Sequence, residues 1–214
     1  MALRKLGIVL MAFSHTIEDS KQLAADAHSW SLPGAGAATP LISTQRRDYF
    51  AEMAFLRAFS AWETFLEESF LLYLLGYKAT RGRAPHRYAF PPDPSHAMNW
   101  LTDGRDYATW TDAGNVGSRA KRFFSAGRPF ADVLSRNQNL LSEVNTVRNA
   151  IAHRSGSARQ KFEEVVRQKL GTAPPNLTVG SFLGTTAPRI TPPSSFLEFY
   201  IGKIEFAARQ IVPT

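Results

Sequence analysis

The sequence lacks cysteine, and it has no long run of apolar residues. Without cysteine the chain has no disulfide, no thiolate nucleophile and no cysteine-ligated zinc, which fits a reducing cytoplasm. The longest strongly apolar run, residues 70–76, is far too short to span a bilayer. The apolar run at 6–13 keeps helical spacing, so we interpret it as helix rather than signal peptide. We therefore expect a cytoplasmic protein with no membrane partner.

Motifs that mark several large enzyme classes are also missing. The sequence contains no glycine-rich phosphate loop, no His-Glu-x-x-His zinc helix, no acidic calcium loop and no serine in a nucleophile elbow. Four histidines have no partner at metal-ligand spacing: His15, His28, His86 and His96. We therefore expect no metal and no cofactor.

The chain is basic. Its 214 residues include 25 lysines and arginines against 18 acidic residues, which gives a formal net charge of +7. This balance favours polyanionic partners, nucleic acid before membrane. The hydrophobic content of 44% is typical of a globular protein with a core, and the length allows one large domain or two small ones.

Apolar residues recur at helical spacing along most of the chain, whereas no strand-like alternation is strong enough for a sheet. The pattern predicts an all-α fold, an up-and-down bundle of about five to seven helices in a single domain, 1–214. Longer helices are expected at 3–29, 43–76, 137–153, 158–170 and 195–211, and shorter ones at 118–125 and 130–134. The clearest buried stripe comprises Phe55, Phe59, Trp62, Leu66, Phe70 and Tyr73.

Residues 78–117 break the helical pattern. Four prolines and several glycines forbid one long helix, so we expect a functional insertion with short helical turns near residues 98–101. Its first half alternates cations with aromatic rings, which suits single-stranded RNA because cations bind phosphates and rings stack on bases. A solvated basic loop is the alternative. The candidate RNA-binding residues are Lys78, Arg81, Arg83, Arg87 and Tyr88.

The remaining local signals concern helix ends, one hairpin and the placement of large side chains. Ser157 with Gln160, and Ser195 with Glu198, resemble capping boxes at helix starts. Residues 177–183 favour a short hairpin. We expect Trp100 and Trp110 to pack against the core. We expect Arg119, Lys121 and Arg122 of the 118–125 helix to face solvent.

The predicted helix at 137–153 combines an apolar face with a polar face. The apolar positions recur at steps of four, three and four: Leu140, Val144, Val147 and Ile151. Asn149 and His153 lie about 40° apart on the opposite side, and Arg148 flanks the apolar stripe. A permanent cation beside a side chain that carries protons at neutral pH suits a phosphodiester. Ordinary surface residues are the alternative.

The motif Arg148-Asn149-x-x-x-His153 resembles the signature of the HEPN superfamily, the higher eukaryote and prokaryote nucleotide-binding domains. A second region, residues 55–67, is similar to the long early helix of these domains, which carries an acidic residue facing the motif. Together the resemblance covers about residues 45–170. It implies a homodimeric helical bundle. Many members are metal-independent endoribonucleases, and many bacterial ones act as toxins or in phage defence.

The resemblance also implies residue roles. His153 would act as general base on a ribose 2′-hydroxyl or as acid on the leaving 5′-oxygen, and Arg148 would neutralise the charge that builds on phosphorus. Asn149 would orient the phosphate or hold the histidine. Glu63 is the candidate to position Arg148 and to share the proton transfer. Two further residues of the same helix are alternatives: Arg57 and Glu67.

Two functional classes follow from the resemblance, because some members bind RNA, nucleotides or partner proteins without cutting. The first is an endoribonuclease, and the alternative is a non-catalytic dimeric module that binds RNA or a partner. One family subgroup is silenced by a nucleotidyltransferase antitoxin that modifies a tyrosine two residues after the signature histidine. Here that position is Ser155, which argues against this control. Another antitoxin or inhibitory protein remains a candidate partner.

Overall fold

The computed structural model describes residues 5–34, 39–102, 108–153, 155–188 and 190–214. In these ranges the regular elements are all helical, and β pairing is limited to isolated bridges. The predicted all-α fold is therefore confirmed. No helix of the described residues is both long enough and apolar enough to cross a membrane.

Nine α-helices lie within the described ranges, and six of them have eleven residues or more. The total of nine in these ranges exceeds the expected number of about five to seven, which included short helices. The helices are α1 Leu6–Trp30, α2 Thr44–Leu74, α3 Pro94–Thr102, α4 Ala113–Phe123, α5 Phe130–Arg136, α6 Gln138–Ala152, α7 Gly156–Leu170, α8 Val179–Gly184 and α9 Phe196–Ile211.

The chain divides into two compact units. Unit 1 comprises the described parts of Met1–His15, Ala61–Ser142 and Ile204–Thr214. Unit 2 comprises the described parts of Thr16–Ser60 and Glu143–Lys203. The boundaries fall inside α1, α2, α6 and α9, so each of these four helices contributes residues to both units.

Unit 1 has an aromatic core around Phe70. The centroid of its ring lies 5.4 Å from that of Trp110, 5.0 Å from that of Phe124 and 4.9 Å from that of Phe130. Such offset and tilted pairs are favourable beyond the area they bury.

The whole predicted stripe of α2 is buried, as expected: Phe55, Phe59, Trp62, Leu66, Phe70 and Tyr73.

Unit 2 has a second aromatic cluster, and it involves the helix that carries the Arg-x4-His motif. Phe182 stacks on Phe196 with ring centroids 4.4 Å apart, and Phe196 lies 5.9 Å from Tyr200. The Tyr200 hydroxyl donates to Glu143 of α6 over 3.4 Å, and Lys169 of α7 lies 2.8 Å from the same carboxylate. Burial, and then the Glu143 charge, raises the pKa of Tyr200, so the hydroxyl keeps its proton. These contacts fix α6 against α7 and α9.

The hairpin predicted at 177–183 is wrong, because this segment forms helix α8. Thr178 is its N-cap and accepts from the Ser181 amide at 2.9 Å, which starts a helix rather than a strand. The Thr178 hydroxyl also donates to Asp48 at 2.9 Å, and the Gly180 amide donates to Glu52 at 2.9 Å. Contacts with α2, distant in sequence, therefore override the local β preference.

Two expected orientations of large side chains are wrong. Arg119 is buried, with its guanidinium 4.6 Å from the Trp110 ring centroid, because a planar cation can stack on an aromatic face. Trp100 is 42% exposed, whereas Trp110 is buried as expected. Lys121 and Arg122 are exposed, as predicted.

One predicted capping box is confirmed and the other is wrong. The Glu198 carboxylate accepts from the Ser195 amide at 2.8 Å, and the Ser195 hydroxyl accepts from the Glu198 amide at 3.2 Å. Helix α7, however, starts earlier than expected, with Ser155 instead of Ser157 as its N-cap. Its expected end at Gly171 is confirmed by a left-handed backbone with φ of 78°.

Candidate functional site

Helix α6 carries Arg148 and Asn149, and Leu140 and Ile151 of the predicted apolar stripe are only half-buried. Val144 and Val147 are buried, while Arg148 and Asn149 are half-buried. His153 is exposed and comes directly after the last helical residue. The histidine is therefore not sealed among apolar side chains, and its ring is accessible for proton transfer.

The guanidinium of Arg148 is held by two contacts within unit 2. Its Nη1 donates to Asn149 Oδ1 at 3.1 Å, and its Cζ lies 5.8 Å from the ring centroid of Phe59. Asn149 in turn donates from Nδ2 to Asn145 Oδ1 at 3.4 Å. Asn149 thus orients the arginine through its side chain. Other N–H donors of the guanidinium fork are left for a phosphate, because the fork has five.

His153 is joined to the same group through its backbone. Its amide donates to the carbonyl of Asn149 at 2.9 Å, which extends the helical hydrogen-bond pattern by one residue. The three residues of the motif, Arg148, Asn149 and His153, therefore lie in the last turns of α6 or directly after it. A guanidinium fork can bind a phosphodiester, and an exposed imidazole can exchange a proton with one.

The predicted acidic partner lies in the other unit. Glu63 is half-buried in the part of α2 that belongs to unit 1, whereas Arg148 belongs to unit 2. The pairing of Glu63 with Arg148 stays a prediction. The two alternatives differ from each other: Arg57 is exposed and forms an ion pair with Asp19 at 3.0 Å, and Glu67 is half-buried.

The candidate RNA-binding residues of the insertion do not all have the same environment. Lys78, Arg81, Arg83 and Tyr88 are exposed. The fifth, Arg87, is half-buried, and its Nη1 donates to the carbonyl of Leu74 at 2.8 Å, at the C-terminal end of α2. Its Cζ also lies 4.8 Å from the Phe90 ring centroid. Arg87 therefore caps a helix, which is a structural contact that the sequence reading missed.

A cleft of about 500 Å³ in unit 1 is lined by four arginines. The sequence predicted two of them as RNA-binding and did not single out the other two. Arg81 and Arg83 line it, as do Arg128 and Arg136 from the region of α5. Spacing could have indicated only Arg136, which lies four residues after Asp132 in α5, because residues four apart lie on one helix face. Because Arg128 and Arg136 are far from the insertion in sequence, the sequence does not show that the two pairs line one cleft.

Unit 2 has a cleft of its own, of about 370 Å³. Its polar lining includes Lys21, His28, Arg47 and Glu198. Of the residues that the structure describes, the three of the Arg-x4-His motif are not part of this lining. The motif residues therefore lie outside the lining of this cleft.

Comparison with known proteins gives no match: no protein-family model, no curated protein and no solved structure is significantly similar to this chain.

Proposed function

We propose that the protein is a metal-independent endoribonuclease of the HEPN type. The observation that carries the proposal is the grouping of Arg148, Asn149 and His153 at the end of α6, with the guanidinium oriented by the asparagine and the histidine exposed. The net charge of +7 adds to it, because a basic protein attracts a polyanionic substrate.

The proposed reaction is transfer of a phosphodiester to the neighbouring ribose 2′-oxygen. A base removes the 2′-hydroxyl proton, the 2′-oxygen bonds to phosphorus, and the bond from phosphorus to the 5′-oxygen breaks. An acid protonates that leaving oxygen, so the products are a 2′,3′-cyclic phosphate and a free 5′-hydroxyl. His153 serves as base or acid, and Arg148 stabilises the negative charge on the phosphoryl oxygens.

The exposure of His153 suits a site that a second copy of the chain completes. In this proposal two motif helices face each other across a dimer interface, and one copy of His153 acts as base while the other acts as acid. Glu63 positions Arg148. The biological role that goes with this activity is that of a toxin or phage-defence effector in the cytoplasm, restrained by an inhibitory protein.

The test is cleavage of single-stranded RNA by the purified protein in EDTA. His153→Ala and Arg148→Ala should each lower the cleavage rate by about a hundredfold or more, because one loses proton transfer and the other loses charge stabilisation. The products should carry 2′,3′-cyclic phosphates, and RNA methylated at every 2′-oxygen should stay intact.

Two variants serve as matched controls. Arg159→Ala removes another arginine of unit 2 whose Cζ also lies 5.8 Å from a phenylalanine ring, that of Phe162. His96→Ala removes another exposed histidine. Both controls should cleave at the wild-type rate. Unchanged cleavage in both motif variants contradicts the proposal, and tight binding of RNA that stays intact indicates the binding-module alternative.

A further inference from the structure

The cleft of unit 1 is strongly charged. Four arginines line it, two before and two after a gap of more than forty residues: Arg81, Arg83, Arg128 and Arg136. We call this group the arginine cleft. His86 also lines it, and Asp132 is the one carboxylate among its described lining residues. The cleft therefore has more positive than negative side chains, and this excess of positive charge favours binding of an anionic ligand.

Asp132 orients two of these arginines without neutralising the cleft. The Nε of Arg128 donates to the Asp132 carboxylate at 3.2 Å, and the Nε of Arg136 donates to the Asp132 carbonyl at 3.0 Å. In both cases the bond engages Nε. The terminal nitrogens, which form the fork that binds phosphate, are left to other partners.

Hydrogen bonds connect the walls of the arginine cleft. The Ser125 amide donates to the His86 carbonyl at 2.9 Å, which joins the insertion to the segment before α5. The Arg81 amide donates to the Pro213 carbonyl at 3.1 Å, which joins the insertion to the segment after α9. These bonds join the backbone of the insertion to the two neighbouring segments that line the cleft.

An exposed aromatic ring adjoins the arginine cleft. Tyr88 is 57% exposed, and its ring centroid lies 5.8 Å from that of His86 in an edge-to-face arrangement. An exposed aromatic ring next to several cations suits a single strand, because the cations bind phosphates and the ring stacks on a base. A duplex would keep its bases stacked and leave the ring unused.

We propose that the arginine cleft and Tyr88 form a binding site for single-stranded RNA. Four cations along an open cleft of about 500 Å³ fit several consecutive phosphates better than one isolated phosphate group. The described lining of the cleft includes none of the Arg-x4-His residues, and its ligand does not have to be cleaved. The inference therefore stands or falls independently of the nuclease proposal.

The test measures binding of a fluorescein-labelled twelve-nucleotide oligouridylate, 2′-O-methylated so that it cannot be cut by 2′-hydroxyl attack. The double variant Arg128→Gln/Arg136→Gln should bind about tenfold more weakly. The slope of log affinity against log salt should become shallower by about 1.4, because each lost phosphate contact accounts for about 0.7. Fluorescence anisotropy over a salt series gives both quantities.

The matched control for the charge change is Arg209→Gln. Arg209, like Arg128, is an exposed arginine in an ion pair with a carboxylate four residues away. It is not among the described residues that line the arginine cleft. The variant Arg128→Lys/Arg136→Lys keeps the charge and should keep the salt slope. Tyr88→Ala should weaken binding by about tenfold, and Tyr88→Phe should not, because stacking needs the ring and not the hydroxyl.

Each of the next four outcomes overturns the inference. Wild-type affinity in the double Gln variant excludes the arginine cleft, and an equal loss in Arg209→Gln reveals a general charge effect. Displacement of the oligonucleotide by uridine triphosphate at equal phosphate concentration indicates a mononucleotide site. Stronger displacement by polyglutamate indicates an acidic protein partner. Binding that persists when no cleavage of RNA is found leaves this inference intact and removes only the nuclease proposal.

Discussion

At the scale of single residues, arginines of the same formal charge have different tasks in this protein. Arg148 is half-buried and oriented by Asn149, whereas Arg87 caps the end of α2. Arg119 is 8% exposed and donates to the carbonyl of Thr109 at 3.0 Å. Burial lowers the pKa of Arg119, and the charge of Arg122 adds to this effect, yet an arginine stays charged at neutral pH. Its carbonyl partner and its aromatic partner therefore stabilise a buried cation.

Loss of Arg119 should destabilise the fold. Arg119→Ala removes the contact with the Trp110 ring and the bond to Thr109, and we expect the free energy of unfolding to fall by about 2 kcal/mol. Arg122→Ala, on the exposed side of the same helix, should change it by less than about 0.5 kcal/mol. Urea unfolding followed by circular dichroism measures both. Equal stability of the two variants would show that the buried contacts contribute nothing.

At the scale of elements, helix α8 is placed by a close approach of two backbones. A Cβ at Gly180 would lie 2.2 Å from the carbonyl oxygen of Asp48 in α2, far inside van der Waals contact. The neighbouring Asp48 and Glu52 side chains accept from Thr178 and from the Gly180 amide. Only glycine at position 180 permits this approach, since the opposing atom is backbone and cannot rotate away.

Two glycines of α8 give a matched pair of substitutions. Gly180→Ala should lower the free energy of unfolding by about 3 kcal/mol, because backbone has to shift to admit the methyl group. Gly184→Ala meets no atom within 4 Å and should be tolerated. Thermal unfolding of the two variants side by side provides the measurement, and a Gly180→Ala protein as stable as Gly184→Ala would refute this packing.

The long helices could be predicted from the sequence because their apolar residues repeat with the helical period, as the buried stripe of α2 shows. The short helix α8 could not, because its bonds to Asp48 and Glu52 join residues more than a hundred positions apart. The burial of Arg119 was missed for a similar reason: its aromatic partner is not on its own helix.

The candidate site was predictable only in part. Helical geometry places Asn149 and His153 on the same side of the helix, because they are four residues apart, whereas Arg148 lies about 140° from His153. The arginine cleft depends on contacts between the insertion, the α5 region and the segment after α9, and spacing along the chain carries no signal for such a meeting. Glu63, chosen by resemblance, stays a prediction.

At the scale of the whole molecule, the nuclease proposal requires a second copy of the chain. We expect a particle of twice the 23.8 kDa chain mass at the concentrations at which RNA is cleaved. The variant His153→Ala should have the same mass, because an exposed side chain adds little to an interface that the rest of α6 supports. Sedimentation velocity with and without RNA decides the matter. A monomer that cleaves RNA would contradict the dimeric site.

The hydrogen bond from Arg87 to the C-terminal end of α2 affects how the basic insertion binds a ligand. Together with the bridge between Arg87 and Phe124, it anchors the insertion at Arg87. The backbone around Arg87 thus loses conformational entropy during folding and not at the moment of association, which favours tight and fast complex formation. Adaptation to ligands of different shape is left to the rotamers of the long side chains.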